Sequence, residues 1–173
     1  MHAPWAALML PAALDGPTTE LLSQLCSLDG FACEWRAPGV LVVPPVLDGP
    51  ALEKLCEVLT VLDERALRQD PTLPNLYQSG AYYELRPEYW LSVPWALVCL
   101  SCGHGLDCKV LATWRCAELR VRRGERGARC VWSRHATPAK VVYHVRVRRA
   151  DGRIEDPSAR LGMRSVLPAE RSA

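Results

Sequence analysis

Cys108, His144 and Asp156 follow one another in the order in which a nucleophile, the base that takes its proton and the carboxylate that orients the base can converge. Asp107-Cys108 opens a helical stretch that continues through Lys109-Val-Leu-Ala-Thr-Trp-Arg-Cys-Ala-Glu-Leu119. His144 sits in the alternating run Tyr143-His-Val-Arg-Val147, and Asp156 follows the turn Asp151-Gly152 within Ile154-Glu-Asp-Pro-Ser158. A thiol with an ordinary pKa of about 8.5 is mostly protonated at neutral pH, whereas a helix N-terminus and an adjacent imidazolium lower it and leave a standing thiolate. Cys108 is then the nucleophile. His144 shares the proton and later delivers it to the leaving group, while Asp156 holds the imidazole tautomer and stabilises the charged ring. The spacings, 36 residues from Cys108 to His144 and 12 from His144 to Asp156, suit a compact helix-plus-hairpin unit.

At these residues the chain resembles the transglutaminase-like superfamily of cysteine proteases and acyltransferases. The matching elements are Gly105-Leu-Asp-Cys108 with its helix, Arg129-Cys-Val-Trp132 as the next strand, Tyr143-His-Val-Arg-Val147, and Asp151-Gly152 leading into Ile154-Glu-Asp-Pro-Ser158. The resemblance covers residues 90–163, and Leu76-Tyr-Gln-Ser-Gly-Ala-Tyr-Tyr83 resembles a segment that precedes this core in small proteins carried by phages and prophages. The chain departs from the family at Leu106, where glycine is usual, and at Val110, where an acidic residue is usual. Papain-type enzymes place their histidine roughly 130 residues or more downstream, which fits badly.

The resemblance implies an α+β chain with a transglutaminase-like (papain-like) core, its Cys108 helix packed on an antiparallel sheet. It implies cysteine-dependent acyl transfer, chiefly hydrolysis of a peptide or amide bond through a thioester, on a peptide or protein substrate and without a cofactor. The oxyanion hole would combine the Cys108 backbone amide with one further donor, for which Trp90 and Trp95 are candidates, though either also suits a core. A non-enzymatic alternative is a structural or adaptor component of a virion or tail assembly with a relic site. A third is an NlpC-type cell-wall peptidase, which shares Asp-Cys at a helix start but usually continues Ser-Gly, where this chain has Lys109-Val110.

A rival reading uses the same stretch for zinc. Cys99, Cys102, His104 and Cys108 put three thiols and an imidazole within ten residues, and zinc sites often begin with a two-residue cysteine spacing. Structural zinc sites usually pair two such clusters, and Cys99 ends the apolar run from Trp90 to Leu100. The plainer reading makes Cys99 core and Gly103-His-Gly105 a loop leading to the nucleophile.

The rest of the sequence supplies elements to position these residues. With 173 residues, 49% hydrophobic and 23% charged, the chain can bury a core. Its eight cysteines are scattered, several within helical patterns, which favours reduced thiols and a cytoplasmic setting, while the resemblance to phage proteins implies incorporation in a phage particle as the alternative. The first ten residues lack the basic lead of a signal peptide, and no run approaches the roughly 18 apolar residues of a membrane span. Residues 1–108 hold 5 Lys+Arg against 13 Asp+Glu, net −8, while residues 109–173 hold 16 against 6, net +10, so the halves should attract. The arginines at 120, 122, 123, 126, 129, 146, 148 and 149 form a basic stripe, but without a recognised binding module a solvated or domain-facing stripe is expected rather than a nucleic-acid surface.

Pro4–Leu10 reads as a strand, Thr18–Leu28 as a helix, Phe31–Arg36 and Gly39–Val43 as a hairpin, and Pro50–Arg68 as an amphipathic helix. These make residues 1–70 a small α/β N-terminal unit. The prolines of Asp70-Pro-Thr-Leu-Pro-Asn75 open a linker and extended segment over 71–89, and residues 90–173 form the core.

Overall fold

The computed structural model describes residues 34–36, 40–42, 49–85, 90–92, 105–136 and 141–164. It is a mixed helix and sheet structure in which a small antiparallel sheet packs against helices. Strands β1 (Glu34–Arg36) and β2 (Val40–Val42) form the expected hairpin, with Glu34 opposite Val42 and Arg36 opposite Val40. Helix α1 spans Gly49–Gln69, and a 3-10 turn spans Leu76–Gln78. Strand β3 is Tyr82–Tyr83, β4 is Trp90–Ser92 and β5 is Gly105–Leu106. Helix α2 (Cys108–Arg122), strands β6 (Arg129–Ala136), β7 (Val141–Arg148) and β8 (Ile154–Glu155), and the short helix α3 (Pro157–Arg160) complete the chain order. Three sheets result, ordered β1-β2-β4, β3-β5 and β6-β7-β8. The strand predicted at Pro4–Leu10 and the helix at Thr18–Leu28 lie outside the described residues.

Helix α2 is the spindle of the fold. Cys108, Ala112, Cys116 and Leu119 recur at helical spacing and meet Leu52 and Cys56 of α1 and Val145 and Val147 of β7 in one core. The small Ala112 and Cys116 let the helix lie close to the sheet. On β7 the pleat sends Tyr143, Val145 and Val147 to this core, while Arg148 is exposed. Helix α1 begins with Pro50 in its first turn, where the missing N–H costs nothing. It stops before Asp70-Pro71, where the Asp70 carboxylate accepts from the backbone and hydroxyl of Thr72.

Packing crosses residue 70. Leu52, Leu55, Val58, Leu59 and Leu62 of α1 are buried, and Leu52 and Cys56 share a core with Cys108. The segment after α1 is held down as well: Arg122 donates to the Leu73 carbonyl and to Asn75 Oδ1, and the Leu76 N–H donates to buried Glu118. Conversely β4, expected within the C-terminal core, pairs with β2 of the hairpin.

The predicted attraction between the two halves has a structural form at Arg120. Its guanidinium bridges Glu57 and Glu64 of α1 at 2.9 and 3.0 Å. Among the described residues no helix is long and apolar enough to cross a membrane.

Candidate active site

Asp107 caps α2. Its backbone is extended, and its Oδ1 accepts from the N–H groups of Lys109 and Val110 at 2.9 and 3.1 Å, satisfying donors that the first helical turn leaves unpaired. Cys108 is therefore the first helical residue, as the sequence indicates. Its sulfur faces the backbone N–H of Val145 and its own N–H. The nucleophile candidate shares a buried core with Val145, the strand residue immediately after His144.

The ionisation of that thiol departs from expectation. Burial is the largest influence, the Asp107 carboxylate adds to it, and together they push the Cys108 pKa up to about 11, against the pull of Lys109 and the two backbone amides. Burial therefore favours the neutral thiol over a standing thiolate. The capping carboxylate that starts the helix also cancels much of the positive potential of its N-terminus, and Lys109 is spent on the same group, 2.5 Å from Asp107 Oδ2.

His144 and Asp156 are brought together, with His144 Nε2 2.7 Å from Asp156 Oδ2. Asp156 N-caps α3, its Oδ1 accepting from the Ala159 N–H at 3.0 Å, with Pro157 in the first helical position. One oxygen thus fixes the helix and the other the imidazole. Burial raises the Asp156 pKa, but the His144 bond, the Ala159 N–H and Arg146 outweigh it and hold the carboxyl below its usual range. With Nε2 on Asp156, Nδ1 is the ring nitrogen that remains for a thiol proton. The carboxylate–imidazole pair is thus assembled.

Glu155, next to Asp156, anchors this end of the sheet. It accepts from Arg115 Nε at 2.7 Å and from the Tyr77 hydroxyl at 2.5 Å. Arg115 also pairs with buried Glu118 at 3.1 Å, and the guanidinium of Arg160 lies 3.8 Å above the Tyr77 ring. None of these residues was singled out from sequence, because a charged residue on a helix normally marks a solvated face.

Tyr83 is a second omission. It packs partly buried against the core that contains Cys108, and its pKa is raised by burial and then by Cys108, Asp107 and Asp156, against Lys109. The only sequence signal was its place at the end of the Leu76–Tyr83 segment.

The backbone of Trp90 pairs with Val42 in β4. Trp95 and three members of the proposed zinc set, Cys99, Cys102 and His104, lie outside the described residues; among those that are described, no three His, Cys, Asp or Glu side chains are placed to hold a metal.

A cleft of about 570 Å³, lined in part by Lys54, Cys56, Arg120, Arg126, Arg129 and Cys130, opens elsewhere, between α1 and β6. Cys108, His144 and Asp156 do not reach it. Against the pull of Cys116, the neighbouring Cys56 and burial push the Cys130 thiol at this cleft well above its usual range.

No family model matches the chain, and comparison with curated proteins and with solved structures gives no match.

Proposed function

We propose that Cys108, His144 and Asp156 act as nucleophile, base and orienter in acyl transfer, chiefly hydrolysis of a peptide or amide bond, on a transglutaminase-like core. The observation that carries this reading is the 2.7 Å His144–Asp156 pair beside Val145, which shares a core with Cys108. The raised thiol pKa sets the mechanism. A neutral thiol attacks only as its proton leaves, so His144 Nδ1 takes the proton while sulfur adds to the carbonyl carbon, as in a hydroxyl-dependent triad rather than a preformed ion pair. The same proton passes to the leaving nitrogen, and the thioester that remains is cleaved by water. Asp156 stays ionised throughout and stabilises the imidazolium.

The burial of Cys108 favours a second reading, in which the fold serves as a structural or adaptor component of a phage particle and the site is idle. Turnover of 4-nitrophenyl acetate separates the two. Catalytic release of 4-nitrophenol by the wild type and its loss in Cys108→Ala are expected for the enzyme; no release, or equal release by Cys108→Ala, supports the idle site.

A further inference from the structure

Attack of sulfur on a carbonyl turns its oxygen into an oxyanion, which needs donors already in place. The Cys108 amide is one. We propose that the phenol of Tyr83 is the second, a catalytic role that rests on the acyl-transfer reading above.

The two-residue strand β3 brings Tyr83 to the site. It runs parallel to β5, with Tyr82 opposite Gly105 and Tyr83 opposite Leu106, and the Glu84 N–H donates to the Leu106 carbonyl at 2.9 Å. Tyr83 is therefore fastened beside the segment that delivers Cys108 two residues later. From its other side the Tyr83 N–H donates to the Leu161 carbonyl at 2.8 Å, at the end of the short helix that Asp156 caps. Adjacent residues, Tyr83 and Glu84, thus bond to the approaches of orienter and nucleophile. This close strand approach depends on Gly105, because a Cβ there would run into the side chains of Glu84 and Tyr82.

The side chain follows the backbone. Tyr83 packs against the core containing Cys108, and Cys108, Asp107 and Asp156 all act on its ionisation. Burial and these neighbours favour the neutral phenol, the form that can donate.

Two reagents for the same sulfur separate this role from a structural one. 4-Nitrophenyl acetate reacts at a carbonyl: the thiol gives up its proton, the S–C bond forms through an oxyanion, and 4-nitrophenol leaves. Iodoacetamide reacts at a saturated carbon, forming an S–C bond and releasing iodide and a proton with no oxyanion. In Tyr83→Phe, acylation of Cys108 is expected to fall about 100-fold or more, with alkylation within about twofold of wild type. Acylation unchanged, or both reactions falling together, overturns the proposal. A wild-type Cys108 that alkylates but never acylates overturns the acyl-transfer reading itself, and this role with it.

Discussion

At the scale of single residues the decisive quantity is the protonation of Cys108. Helix position and residue order, both legible in sequence, favour a thiolate; depth of burial, which is not legible there, favours the thiol and dominates. Mass-mapped alkylation with limiting iodoacetamide should therefore be slow at pH 6 and climb without a plateau toward pH 11, because only the thiolate reacts. Fast labelling of Cys108 that is already level at pH 6 would reveal a standing thiolate and contradict this. Asp156 has two duties that one substitution separates. In Asp156→Asn the amide oxygen still caps α3, so circular dichroism and melting should change little, while the wrong imidazole tautomer should slow acyl transfer by about 10⁴. An unchanged rate in folded Asp156→Asn would reduce the site to a cysteine–histidine pair.

At the scale of elements, α2 is held by buried charges as well as by apolar contacts. Glu118 is 2% exposed and receives the Leu76 N–H at 2.7 Å and Arg115 at 3.1 Å. Glu118→Ala leaves the Leu76 N–H unpaired and takes from Arg115 one of its two carboxylates, and should cost about 2 kcal/mol in urea unfolding, with Glu118→Gln costing less; a loss under about 1 kcal/mol would place these bonds at the margin of stability. Between the helices, burial pushes the Asp63 pKa well up against its Thr113 hydrogen bond, with Cys116 and Glu64 adding to the rise. The unfolded chain releases this proton above about pH 4, while the folded chain keeps it. Stability contributed by the protonated Asp63 is therefore complete below about pH 4 and is lost as pH rises toward the folded pKa, by up to about 1.4 kcal/mol per pH unit. Asp63→Asn should flatten that slope in melts taken from pH 4 to 8, and an identical slope in wild type and variant would show that Asp63 ionises freely. Helices α1 and α2 and strand β7 were legible because each repeats a period over enough residues, whereas β6 was expected only from the resemblance at Arg129–Trp132. The two-residue bridge between β3 and β5 has no period to read. Asp63 and Glu118 escaped notice because helical spacing alone does not say that both faces of α2 are covered.

At the scale of the whole molecule, charge asymmetry was legible and its geometry was not. Arg120, Arg122 and Arg149 of the basic stripe are engaged with carboxylates or carbonyl groups of the same chain, while Arg123, Arg126, Arg129 and Arg148 stay exposed. The prolines after Asp70 mark the end of a helix, yet the core crosses that point. A fragment of residues 71–173 should therefore melt without a cooperative transition, having lost Leu52 and Cys56 from the core; a sharp transition equal to that of the full chain would restore the boundary at 70. The three residues read as a catalytic set belong to separate elements, α2, β7 and the start of α3, and only their joint action distinguishes an enzyme from a fold that happens to bury a thiol beside a histidine. Mass-mapped acylation by 4-nitrophenyl acetate in wild type and His144→Ala tests that joint action most directly. An acyl adduct on Cys108 that forms at least 100-fold faster in wild type than in His144→Ala is the expected result, and an adduct that forms equally fast without the imidazole, or settles on another cysteine, would contradict it.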